Sequence, residues 1–438
     1  MVYISNSWSM KNRYKKSQLL LKEALDLIPL GSQTFGKCHL QFPESNSPHF
    51  IEKGLGAYVW DVDGNQYIDF MSALLTVNLG YQDKEVDNAV KRQMKKGVVF
   101  SFAHPLEIEL SKKIIEMVPC AEMVRFGKNG SDVTTAAIRL ARNYTGREHV
   151  IVFGYHGWQD WYIDTTSMCS GGVPKSTKKL VHSIKYNDIA SVKKIFTKYK
   201  GQVAALIMEP MIDEYPRNGF LHEVMKLTHE NGALFILDEV KTCFRFAEGG
   251  AQELFNIIPD LACLGKGIAN GYPLSAIVGR KEIMQHIDKM FFSLTYAGET
   301  LSLAASIATL KKIQKKKVVS QVIKKGEYLM HEIGKLIAKH NLTNVLSIKG
   351  HPSWSLIIFK DIEEYTGNEV NMYFMQEIFK RGIIGFGGHA LSYAHTKADI
   401  NRLLQVYDEV FALLNDELTK GTKNIKYANI RKNISNKE

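Results

Sequence analysis

Five short runs that are apolar at nearly every position, HVIVFG, AALIMEP, ALFILDEV, DLACLGK and LSAIVGR, constrain this chain more than any other feature. Successive side chains of a strand point to opposite sides of a sheet, so a strand without polar alternation must be covered on both faces. Stretches with helical spacing lie between several of the runs, among them FLHEVMKLTHENG, which closes on Gly232. The alternation predicts an α/β fold, a mostly parallel sheet covered by helices on both sides. Ligands of such sheets bind in the loops that follow the carboxyl ends of the strands.

A chain of 438 residues has room for a large domain and a smaller companion. After Ser306 the pattern turns helical, then passes through NVLSIKGHPSWSLIIFK and the glycine-rich GIIGFGGHALS into a final long helix, which reads as a smaller α+β domain. The expected organisation is an amino-terminal segment (1–70) contributing to the small domain, a large domain (71–310), a carboxyl-terminal small domain (311–418) and a basic tail (419–438). The opening MVYISNSWSMKNRYKKSQLLLKEALDLIPLG reads as an amphipathic helix rather than a signal peptide. YVWDVDGNQYIDF reads as a β-hairpin turning at Asp63-Gly64. It is not a calcium loop, because counting from Asp61 the sixth residue is Gln66 rather than Gly and the twelfth is Ser72 rather than Glu.

The formal net charge is +11, and the last twenty residues carry +5 of it. With no interleaved aromatic platform and no helix-turn-helix pattern, this tail and the KKIQKKK cluster (Lys311–Lys317) read as solvated surface, which argues against nucleic-acid binding. Cys38, Cys120, Cys169, Cys243 and Cys263 are scattered and form no CxxC, so neither a disulfide framework nor a zinc site is expected. No run approaches the roughly 20 apolar residues needed to span a bilayer. A cytoplasmic protein that uses neither membrane nor metal fits all of this.

Three features carry potential chemistry. VRFGKNGSDVTTAAIRLAR runs from a strand through a small polar turn into a helix, where exposed N–H groups and the positive dipole end suit a phosphate. A simple capped helix with Ser131 at its N-cap is the alternative. GxxxxGK[ST] occurs nowhere, so this is not a P-loop. ALFILDEV ends in Asp238 and Glu239, placed to touch a ligand or to pair with a neighbouring arginine. Lys266, in LGKGIANGYP after DLACL, can become nucleophilic if its ammonium loses water, or can be one more surface charge.

Taken together with AYVWDVDGNQYIDF, GYHGW, MEP, DEVKTCFRF, GGAQELF, PDLACLGKGIANGYPLSAIVGR and LTYAGETLSLAA, these features resemble the class III family of pyridoxal-phosphate (PLP) aminotransferases, in its glutamate-1-semialdehyde 2,1-aminomutase-like branch. The resemblance runs from about Gly54 to Thr309 and implies a fold-type I PLP transferase, with the 71–310 domain binding the cofactor. It implies that Lys266 forms the Schiff base with pyridoxal 5'-phosphate and then shuttles protons, and that Asp238 pairs with the pyridine nitrogen. Val240 and Tyr155 would flank the ring, and Asn129, Gly130 and Ser131 would hold the phosphate. Thr295 would reach the phosphate from the second subunit of a homodimer. Glu209, in MEP, would lie near the cofactor in a direct or supporting role.

The chain departs from this family at several positions. Lys128 stands where the aminomutases carry Asn, Lys241 where many family members place Gln, and Cys243 where the motif has Gly. EPMIDEYPRNGF is longer and more acidic than the aminomutase loop, and Gly387 stands in place of an aminomutase glutamate. His389, two positions on, reads either as substrate-facing or as a hydrogen-bonded loop histidine. The cofactor half of the pattern is kept and the substrate half is changed. This implies an aminotransferase acting on a small carbonyl substrate with a separate amino donor, in surface-polysaccharide or specialised biosynthesis. Aminomutase action is the alternative, followed by racemase or decarboxylase chemistry and a non-catalytic scaffold.

Overall fold

A computed structural model describes residues 13–43, 46–165 and 170–420 of the protein. Cys169, residues 1–12 of the opening stretch and 421–438 of the basic tail lie outside the described residues. Internal contacts divide the chain into two units, one of Ala73–Leu79 and Asp83–Ile323, the other of the residues up to Ser72, Gly80–Gln82 and those from Lys324 on.

The second of these units begins with the helix Lys15–Leu27 and the antiparallel strands β1 (Ile51–Leu55), β2 (Tyr58–Asp61) and β3 (Gln66–Asp69). The β2–β3 hairpin turns at Gly64, whose φ of +86° only glycine adopts readily. Asp61 holds the turn from within: its carboxylate accepts the N–H groups of Asp63 and Asn65 at 3.0 and 2.8 Å and the Tyr67 hydroxyl at 2.8 Å. The acid that opens the calcium-like motif is thus spent on the hairpin.

The Ala73–Leu79 and Asp83–Ile323 unit is built on seven strands: β4 (Met123–Gly127), β5 (His149–Phe153), β6 (Val181–Ser183), β7 (Val203–Met208), β8 (Leu234–Glu239), β9 (Leu261–Leu264) and β10 (Ser275–Gly279). Their order is β4-β10-β9-β8-β7-β5-β6, all parallel except that β10 runs antiparallel to both its neighbours. Every residue of β7, β8, β9 and β10 is buried. Alternation sorts them onto two faces. Val150, Val152, Ala205, Ile207 and Ile236 pack with Val133, Ile138 and Leu140 of the helix Gly130–Thr145. Ile151, Leu206, Met208, Phe235 and Leu237 pack with Phe196 of the helix Ile189–Lys198 and Phe220, Leu221 and Val224 of the helix Phe220–Glu230. The fold is the expected α/β, with a mostly parallel sheet.

The other unit is completed by β11 (Leu346–His351), β12 (Trp354–Phe359), β13 (Ile383–Ile384) and β14 (Gly388–Ala390). β13 extends the first hairpin sheet beside β3, and β11, β12 and β14 form a separate antiparallel sheet. Phe374 of the helix Gly367–Lys380 meets Tyr407 of the helix Lys397–Thr419 edge-on, 5.1 Å between ring centres. Among the described residues no helix is long and apolar enough to cross a membrane, and no group of three or more His, Cys, Asp or Glu side chains is placed to hold a metal ion.

Candidate active site

The strand end of β8 separates the two acids that sequence left together. Asp238 is buried, with Oδ2 2.7 Å from His156 Nδ1 and Oδ1 accepting the Val240 N–H at 3.1 Å. Its partner is a histidine, not an arginine. Glu239 points the other way into the packing, where it accepts the Thr242 hydroxyl at 2.7 Å, the Gln252 side-chain amide at 3.0 Å and the N–H groups of Ala251 and Gln252 at 2.5 and 3.0 Å. Burial pushes Glu239 up in spite of those bonds. Glu239 therefore organises the chain after β8, and Asp238 is the acid left for a ligand.

β4 delivers the polar turn. Asn129, not Ser131, is the N-cap of the helix Gly130–Thr145, so Gly130 and Ser131 occupy its first turn, where N–H groups have no intrahelical acceptor. The Asp132 carboxylate accepts the N–H groups of Lys128 and Asn129 at 3.0 and 2.7 Å, and Ser275 donates to the Asn129 carbonyl at 2.8 Å. The Lys128 ammonium is engaged away from the turn, on the Pro273 carbonyl and on Glu299, each at 3.1 Å. Burial pushes the Glu299 carboxyl up, but bonds from Ser302, Lys128 and the Leu301 N–H hold it below the usual carboxylate value.

Lys266 follows β9 in the turn Lys266–Ala269 with a φ of +41°, a conformation that costs a non-glycine residue and marks a constrained position. Burial lowers its pKa and the charge of Lys241 lowers it further, while Asp238 and Glu209 oppose both. Val240 joins the two turns. A Cβ on Gly130 would lie 3.1 Å from one of its methyls and a Cβ on Gly265 3.0 Å from the same methyl, so the 129–131 turn and the Lys266 turn close on one side chain. Tyr155 is 55% exposed and donates its N–H to Glu209 at 2.7 Å. Lys266, Asp238, Val240, Glu209, Tyr155 and the 129–131 turn are all carried by a single structural unit.

The sequence model for the family described as Aminotransferase class-III matches residues 41–394. The chain is a class-III aminotransferase.

As members of this family depend on PLP, the enzyme is PLP-dependent, with an amino donor and a carbonyl acceptor as substrates. It is 33% identical to the 3-aminobutyryl-CoA aminotransferase of Cloacimonas acidaminovorans (strain Evry) over 92% of this chain and 98% of that protein. It is 31% identical to the glutamate-1-semialdehyde 2,1-aminomutase of Aquifex aeolicus (strain VF5), over 89% and 98%. Its structure matches that of the FumI protein of Sphingopyxis sp. MTA144, in its PLP internal aldimine form, with a TM-score of 0.85 at 29% identity, over 93% of this chain and 98% of the other.

The expected Thr295 and the ambiguous His389 have surroundings of their own in this aminotransferase. Thr295 is exposed on the loop before the helix Thr300–Lys315, and among the described residues no hydrogen bond joins it to the other candidates. His389 lies in β14, fully buried, with Nδ1 3.0 Å from the Ser355 hydroxyl and Nε2 2.8 Å from that of Tyr407. Burial lowers its pKa to about 3, so it is a neutral core histidine; the hydrogen-bonded reading holds and the substrate-facing one falls.

Sequence reasoning missed His156, although GYHGW contains it. Its ring stacks on Trp161 at 6.3 Å and lies edge-on to Tyr162 at 5.0 Å, and Thr134 donates to its carbonyl at 2.7 Å. The glycines on either side have φ of +100° (Gly154) and +110° (Gly157). A Cβ at Gly154 would stand 2.6 Å from Glu209 Cγ, and one at Gly157 2.6 Å from Ser131 Cβ. Gly154→Ala is expected to lower unfolding stability by about 1–3 kcal/mol. Gly171→Ala, where nothing lies within 4 Å, should stay within about 0.5 kcal/mol. Urea denaturation of the two variants checks both.

Proposed function

We propose that this aminotransferase holds PLP on Lys266 and moves an amino group from a separate donor to a small carbonyl acceptor. The observation that carries the reading is the closure of the 129–131 turn and the Lys266 turn on Val240, directly after the buried Asp238. In this reading Gly130 and Ser131, whose backbone N–H groups lie in the first helical turn, bind the phosphate with Asn129 at the helix dipole's positive end. Asp238, oriented by His156, supplies the buried negative charge for the pyridine nitrogen, and Val240 and Tyr155 flank the ring. Glu209 supports Tyr155 through its backbone N–H. Thr295 completes the phosphate site from the second subunit of a homodimer, and the enzyme works in the cytoplasm. When bound, PLP supplies an electron sink for charge developing on the substrate carbon. Lys266 Nζ takes and returns the proton at that carbon.

Intermolecular transfer is favoured over aminomutase action by Gly387, the position of the aminomutase glutamate. Its φ is +78°, and a Cβ there would stand 2.9 Å from Phe359 Cε2, so a glutamate at this position would be strained and would have to displace that ring. Product formation is expected to require an added amino donor, which alone should shift the visible absorption of the PLP-loaded enzyme. Stoichiometric conversion of glutamate 1-semialdehyde without any donor would replace this reading with aminomutase action.

A further inference from the structure

Lys241 has no part in the reading above, yet it sits among the groups that decide the charge of Lys266. It follows Asp238, Glu239 and Val240 in sequence, and its Nζ lies 2.5 Å from Glu209 Oε2. The other Glu209 oxygen accepts the Tyr155 N–H. Asp238 is likewise committed, to His156 Nδ1 and the Val240 N–H. Two carboxylates therefore act on Lys266: both Asp238 oxygens are hydrogen-bonded elsewhere, and Glu209 has one oxygen in a hydrogen bond and the other in the ion pair with Lys241. Among the described residues Lys266 has no hydrogen-bond or ion-pair partner.

A carboxylate in contact with a buried amine stabilises its protonated form. An ammonium has no lone pair with which to attack a carbonyl or take up a proton. The site holds two lysines and two buried carboxylates, so the identity of the lysine that receives Glu209 decides which amine can react. We propose that Lys241 is a positioning residue that keeps Lys266 a free amine: by occupying Glu209 it denies Lys266 a carboxylate partner, and its own positive charge opposes a second ammonium beside it. The pull of Lys241 and of burial on Lys266, against Asp238 and Glu209, runs in the same direction. This inference rests on Lys266 being the reacting lysine.

The test uses the apoenzyme, so that amine reactivity is read without the cofactor. Trinitrobenzenesulfonate modification of Lys266, followed by peptide mass spectrometry against pH, measures the free-amine fraction; one pKa unit is about tenfold in that fraction. Lys241→Gln is expected to slow modification at least about tenfold near neutral pH and to move the midpoint upward. Lys241→Arg, which keeps the charge, should stay within about threefold of wild type. In Lys241→Gln/Glu209→Gln the released carboxylate is gone, and reactivity should recover. Glu209→Gln alone should not slow Lys266, which keeps the idea testable even if Lys241→Gln does not fold.

Unchanged reactivity in Lys241→Gln, a double variant as slow as that single one, or slowing in Glu209→Gln would overturn the proposal. Borohydride reduction of the PLP-loaded wild type separates this from the parent reading. An adduct on another lysine removes Lys266 as the attachment point, whatever Lys241 does to its amine.

Discussion

Lys266→Ala is expected to leave a folded protein that carries no borohydride-stable PLP adduct and transfers amino groups slower by on the order of 10²–10⁴-fold. Both effects have one source. Lys266 is held at a left-handed φ after β9, with its ammonium disfavoured by burial and by Lys241. An amine in that state can form a covalent bond to an aldehyde and can also carry a proton in the transition state. Alanine removes both capacities and leaves binding to the 129–131 turn and Asp238 untouched. Lys266→Arg is the sharper control. It keeps a cation of similar length, but the guanidinium stays protonated in proteins and has no free lone pair. Arginine should therefore be as inactive as alanine, and a small added amine should restore part of the proton transfer to the alanine variant. Single-turnover absorbance with an amino donor reads both outcomes; a rate within about tenfold of wild type in either variant would remove Lys266 from the mechanism.

What sequence made legible, and what it did not, divides along range. The runs VAALIM, LFILDE and LACL announced buried strands, because only a sheet covered on both faces accepts apolar residues at every position. Nothing local announced that β10, equally apolar, runs antiparallel to β4 and β9, since direction depends on connections and not on composition. The positions of Asp238, Lys266 and the polar turn followed from strand ends. Their states did not. Glu239 differs from Asp238 only in which face it takes, and its partners come from 251 and 252. Lys128 looked like a further charge for a phosphate until its partner proved to be Glu299, 171 residues on. Ser131 was a plausible N-cap, but the bonds to Asp132 start the helix one residue after Asn129. His389 was ambiguous because the Ser355 and Tyr407 hydroxyls that saturate its ring come from β12 and from the last helix.

Asp238→Asn is expected to keep the fold and lower the rate of amino transfer by on the order of 10²–10³-fold, the usual consequence of losing one preorganised electrostatic group. The amide has the shape of the carboxylate but not its charge. One of its two ends must also face a donor. If oxygen keeps the Val240 N–H, the amide NH2 faces His156 Nδ1, which now holds the Asp238 carboxylate at 2.7 Å. The imidazole then has to place its proton on Nε2, so the substitution changes a tautomer as well as a charge. Its stability cost is about 1–2 kcal/mol, because the bond at Nδ1 can re-form while Nε2, buried without a partner among the described residues, takes a proton it cannot donate. Asp238→Ala differs in kind: it strands a fully buried imidazole without its partner and should cost about 1–3 kcal/mol of unfolding free energy on top of the lost rate. Urea denaturation separates the two variants by stability. The donor half-reaction groups them by rate, because both lack the charge. Were Asp238→Asn to react within about tenfold of wild type while Asp238→Ala failed, the carboxylate would matter only as a support for His156 and not for its charge.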